Sequence, residues 1–194
     1  MTHLETYHVV STDPARRVFV IHGRNGQARL AMFDFLRALD LRPLEWEELV
    51  LGTGQATPFV GETVAHAFTM AQAVVVLLTP DDFVKLDEKF LTRTDPGYEI
   101  QTTGQARPNV LFEAGMAFAV DSRRTIIVEI GDLRPFSDLG GRNAINLDGT
   151  VEKLHKIATR LKGAGCAVNI DGADWMDVRR FACLPGCSTN GPSS

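Results

Sequence analysis

Four absences narrow what this 194-residue chain can be. Its longest apolar runs, such as AVVVLLT (73–79), are strand-length and far too short to span a bilayer. MTHLETYHVVSTDPARR at the start has no apolar segment of the kind a secretory signal carries, so a cytoplasmic location is expected. There are only three cysteines, Cys166, Cys183 and Cys187. An odd number without a signal points to reduced thiols, and Cys183 and Cys187 have no further ligands nearby to make a zinc site, so no metal is expected. An excess of positive charge is also missing. The formal net charge is −4, which leaves no electrostatic ground for nucleic acid or an anionic membrane as main partner. Several chemical signatures are absent as well: no GxGxxG, no P-loop lysine and no Ser-His-Asp set.

What is present is the composition of a globular domain, 44% hydrophobic and 23% charged. Residues 1–15 read as a polar extension, 16–182 as one domain and 183–194 (CLPGCSTNGPSS) as a tail or linker. Within the domain, short apolar strands alternate with amphipathic helices, the pattern of a parallel α/β sheet. RVFVIH (17–22) is a central strand, followed by the turn GRNG with Asn25 as a helix cap. Residues 27–41 place Leu30, Phe33, Leu36 and Leu39 at helical spacing. RPLEW (42–46) is a second strand, and a long loop runs to Phe59. A helix covers 61–73 and AVVVLLT is the third strand. RTIIVEI (124–130) and RNAINL (142–147) supply the fourth and fifth, and 150–162 a closing helix. GCAVNI (165–170) fits either an edge strand or extended coil. The expected fold is a five-stranded doubly wound sheet of flavodoxin-like order, whose ligands gather at the carboxyl ends of the strands where the order reverses.

Two segments stand out. Residues 80–107 form a polar stretch of a length that is often functional. The stretch PNVLFEAGMAFAV (108–120) then reads as a helix apolar on every side, with Glu113 its only ionisable residue. A charge in apolar surroundings costs several kcal/mol unless it is paired or neutralised. Asn109, four residues earlier, shares a helix face with it. The bland alternative is a glutamate at a solvent edge, or one paired with Arg107 or Arg124. The turn at Gly23, Arg24 and Asn25 could hold a phosphate on main-chain amides. Thr79, Asp81 and Asp82 follow the third strand, where aspartates bind ribose or simply make a turn. Trp46 could stack on a base or pack, and His22 reads as a structural histidine.

Taken together, VFVIHGRN, the tryptophan after strand two, VVLLTPDD, RPNVLFEAG and FSDLGG resemble the bacterial TIR-like domains, the predicted nucleotide-binding family of anti-phage defence effectors. The resemblance covers roughly 17–149. It implies a TIR fold, and hydrolysis of NAD⁺ to nicotinamide and ADP-ribose or a cyclised form, with NAD⁺ as substrate and no cofactor. It implies that Glu113 is the catalytic glutamate with Asn109 beside it, and that Gly23, Arg24, Asn25, Trp46, Thr79, Asp81 and Asp82 contact substrate. It also implies assembly with other TIR domains and a sensor domain, fused or separate; residues 47–59 are the expected assembly contact. The 80–107 loop is longer than in many relatives. Two other functions compete: a TIR scaffold that does no chemistry, and a nucleoside deoxyribosyltransferase-like enzyme.

Overall fold

A computed structural model of the chain describes residues 13–136 and 143–187. Most of the FSDLGG block, the first dozen residues of the expected extension and the tail from residue 188 lie outside the described residues. In chain order the elements are β1 (Arg17–His22), α1 (Gly26–Ala38), β2 (Arg42–Pro43), α2 (Trp46–Gly52), α3 (Val60–Met70), β3 (Ala73–Leu78), β4 (Asp82–Val84), α4 (Gly97–Ile100), β5 (Thr103–Gln105), α5 (Pro108–Asp121), β6 (Thr125–Glu129), β7 (Ile145–Asn146) and α6 (Val151–Gly163). The main sheet is parallel throughout, in the order β2-β1-β3-β6-β7. This is the flavodoxin-like arrangement expected from the alternation of strands and helices.

Strand periodicity sorts the core into two layers. Val18 and Val20 of β1 pack with α1 and α6, whereas Phe19 and Ile21 point to the face covered by α2, α3 and α5. β3 is buried along its whole length, as a strand covered on both faces must be. Phe35 of α1 meets Phe181 edge-on at 6.3 Å, and both are fully buried. Each such side chain contributes about 1.5–3 kcal/mol by leaving water. Asn25 caps α1 as expected, its Oδ1 accepting the Ala28 N–H at 3.0 Å.

Three local expectations need correction, and two segments left open by the sequence take definite form. The second strand shrinks to Arg42–Pro43, and Trp46 opens α2 rather than standing in a loop. Leu30 faces solvent, because the buried stripe of α1 runs through Ala28, Met32, Phe35 and Leu39 instead. Residues 80–107 are not structureless: β4 and β5 pair antiparallel as a small ribbon, with α4 between them. The start of the expected tail is packed, with Leu184 and Cys187 buried in the core and the Cys187 thiol donating to the Leu147 carbonyl. GCAVNI is extended coil outside the sheet, held by main-chain bonds from Ala167 to Ala15 and from Asn169 to Leu39.

The helix around Glu113, apolar on every side and expected to be buried on most of its faces, is covered less than that. α5 buries a single stripe, Val110, Ala114 and Ala117, and leaves Phe112 70% and Val120 57% exposed. It lies against one face of the sheet, so its outward side, with Phe112 and Val120, is left exposed.

Candidate functional site

The β1–β2 ladder spans two residue pairs, Arg17 with Arg42 and Val18 with Pro43. Leu44 adds one further main-chain bond, its N–H donating to the Val18 carbonyl at 2.9 Å. The chain then turns away into α2, while β1 runs on to His22. A cleft of about 370 Å³ occupies the space this divergence leaves. Phe19 and Ile21 form its floor, and Val20, whose side chain packs into the opposite layer, meets it through the main chain. Phe33 comes from α1, and Leu44 and Leu49 from the β2–α2 segment. Trp46 stands at the rim, 42% exposed. Glu113 reaches the same cleft from α5.

The charges of this cleft are unequally satisfied. Arg29 pairs with Glu45 at 2.7 Å and lies over the Phe33 ring at 4.3 Å; Glu45 also takes Arg37 at 3.0 Å. His22 is held neutral: burial, above all, lowers its pKa, and its Nδ1–H donates to the Gly23 carbonyl at 2.9 Å. The Glu113 carboxylate has neither hydrogen bond nor ion pair among the described residues. Burial pushes its pKa up from the ordinary glutamate range. The arginines that could have neutralised it are engaged elsewhere, Arg107 with Asp82 at 3.4 Å and Arg124 with Asp121 at 3.1 Å. An unpaired carboxylate among Phe19, Ile21, Phe33 and Trp46 is suited to face a positive charge.

The remaining sequence-derived candidates form a separate group at the mouths of β1 and β3. Asp81 is its centre. Its Oδ2 accepts the Arg24 N–H at 2.5 Å and its Oδ1 the hydroxyl of the buried Thr79 at 2.7 Å. Gly23 packs so closely against this carboxylate that a Cβ would overlap Oδ2. The chain's own anion thus occupies the Arg24 amide, one of those that could have held a phosphate, and Asn25 spends its side chain on the helix cap. Asp82 is tied to Arg107. Asn109 is exposed one turn before Glu113 and makes no hydrogen bond to it.

Structure therefore brings Glu113 and Trp46 together, and adds Arg29, Phe33, Leu44 and Leu49, which sequence reasoning did not assign to a site. The available signal was the spacing of Arg29 and Phe33, one helical turn apart, with Glu45 immediately before Trp46. Among the described residues no three His, Cys, Asp or Glu side chains gather as metal ligands, and no helix is long and apolar enough to cross a membrane.

A family model described as "CAP12/Pycsar effector protein, TIR domain" matches residues 17–149, from the first residue of β1 to the turn before α6. The matched span contains every residue of the cleft. No curated protein matches the chain.

Proposed function

The chain belongs to the TIR-domain family of CAP12/Pycsar effector proteins, and from that premise we propose that it is an NAD⁺ glycohydrolase of anti-phage defence, activated by self-assembly. It breaks the bond between nicotinamide and ribose C1′. The bonding pair passes to the ring nitrogen and cancels the pyridinium charge, so nicotinamide departs neutral and needs no general acid. Positive charge develops instead on the ribose, as in other glycosidic cleavages. Water then adds at C1′ and gives up a proton, yielding ADP-ribose; capture by a group within the same molecule yields the cyclised product.

The observation that carries this reading is the unpaired Glu113 carboxylate in a cleft lined mainly by apolar side chains. Such a group stabilises an oxocarbenium-like charge far more than it could in water, either electrostatically or by transient bonding to C1′. Trp46 offers a flat face at the rim for one of the two bases of NAD⁺. Asn109, exposed one helical turn before Glu113, is assigned to a ribose hydroxyl of the bound substrate. Self-assembly is supported by Leu51 and Phe59, 77% and 79% exposed within the expected assembly segment, and by the bare face of α5.

The test is incubation with NAD⁺ at high protein concentration, with chromatography of nicotinamide and ADP-ribose products. Base exchange between nucleosides without NAD⁺ cleavage would favour the transferase. No nicotinamide at any concentration, in filaments as in monomers, would leave a scaffold. Replacing Trp46 by Ala is expected to raise KM for NAD⁺ about tenfold, the value of one base–aromatic stack, with kcat changed less. An unchanged KM would remove Trp46 from the substrate contacts.

A further inference from the structure

A second cleft, of about 310 Å³, opens on the other side of α5 at the carboxyl ends of β3 and β6. Helical geometry explains the pair of clefts: Leu111 and Glu113 lie two positions apart, about 200° around the helix, so one helix lines both. The β4–β5 ribbon supplies the outer wall through Val84 and Gln105, and Leu78 and Leu133 continue the apolar lining. No sequence-derived candidate lies in it.

Three charged side chains line this second cleft, and two of them cancel. Glu99 of α4 and Arg134, which follows β6, form a close and mostly buried ion pair. The Arg134 main chain is also fixed, its N–H donating to the Gly104 carbonyl at 2.7 Å. Glu129, the last residue of β6, is left over. It is half-buried, and its carboxylate has no hydrogen bond or ion pair among the described residues. A carboxylate in that position is unfavourable unless something positive faces it. Nothing in the described chain does.

We propose that this cleft is a second ligand site, distinct from the Glu113 cleft, which takes an organic cation with a small flat apolar body. The positive group lies against Glu129 and the body against Leu78, Leu111 and Leu133. Gln105 offers one amide for hydrogen bonding, and Phe136, at the edge, an aromatic face that also attracts a cation. The volume suits a single substituted ring and sits at the low end for small-molecule pockets.

The probes are 1-methylnicotinamide, a pyridinium cation methylated on the ring nitrogen, and nicotinamide, its neutral counterpart of nearly the same shape. Because Glu113 would also attract a cation, binding is measured calorimetrically in the Glu113→Gln background. The expected result is one saturable site for the cation, at least tenfold tighter than for nicotinamide. Adding Glu129→Gln should weaken the cation at least tenfold, and Val84→Phe, which narrows the cleft and keeps the carboxylate, should weaken it as well. Absence of binding, equal affinity for the two probes, or indifference to Glu129→Gln would each overturn the proposal. Glu129→Gln is nearly isosteric and removes a charge from a half-buried position, so its melting temperature should not fall. NAD⁺ cleavage should be unchanged by it, which keeps this test separate from the catalytic one.

Discussion

Replacing Glu113 by Gln is expected to lower nicotinamide release from NAD⁺ about 100-fold or more and, in the same protein, to raise the melting temperature at neutral pH. The two effects have one cause. Burial raises the pKa of Glu113 in the folded state above its unfolded value. The folded protein therefore holds a proton more tightly than the unfolded chain does. Stability falls as pH rises from the ordinary glutamate range through the folded value, and above that value the fold carries an uncompensated charge. Glutamine has the same shape without the charge, so the fold gains where catalysis loses. The difference in melting temperature should vanish at pH below the ordinary glutamate range, where both side chains are neutral. Activity of the wild type should show an acid limb displaced upward from that range, since only the ionised carboxylate opposes the developing ribose charge. A Glu113→Gln protein with full turnover would remove this residue from the chemistry, and one that melts lower would show that the carboxylate has a stabilising partner in solution.

The second large effect is expected at Gly23. An Ala side chain there would overlap Asp81 Oδ2, so the carboxylate must leave Arg24 N–H and the Thr79 hydroxyl or the turn must move. Overpacking of this kind costs about 1–3 kcal/mol, measurable by urea denaturation. Truncating Asp81 to Ala removes the obstacle. In that background Gly23→Ala should cost much less, giving a coupling of the size found for residues in contact. Additive losses would instead mean that the strain lies in the backbone of the turn. Because His22, at the cleft, is the residue before Gly23, the single Gly23→Ala variant should also lose kcat/KM beyond what its stability explains.

Much of the architecture was legible from local pattern. Continuous apolar runs at 17–22 and 73–79 and the alternation with helices imply the parallel sheet and its order, because both faces of such strands must be covered. Glu113 was legible for a related reason: a charge in a stretch otherwise free of them is visible in composition alone. The site was less so. Thr79 and Asp81 follow a strand, where a polar residue can meet substrate or make a turn; only the structure shows Asp81 joining the Thr79 hydroxyl to the Arg24 N–H of the turn after β1. Phe112 and Val120 looked buried because they belong to an apolar helix, and only the position of α5 against one face of the sheet leaves them bare.

By itself, then, the sequence determined the main parallel strands, most of the helices between them and the visibility of Glu113 as a lone charge in an apolar stretch, since each depends on residues within a turn or a strand of one another. Tertiary structure decided which groups meet. Glu113 and Trp46 share a cleft because β2 leaves the sheet after two residue pairs, and Asp81 fills the turn of Gly23 across 57 positions from Arg24. The second cleft exists because the ribbon of β4 and β5 folds back beside β6. These are contacts between segments far apart in the chain, set by where strands diverge and loops return, and no local periodicity records them.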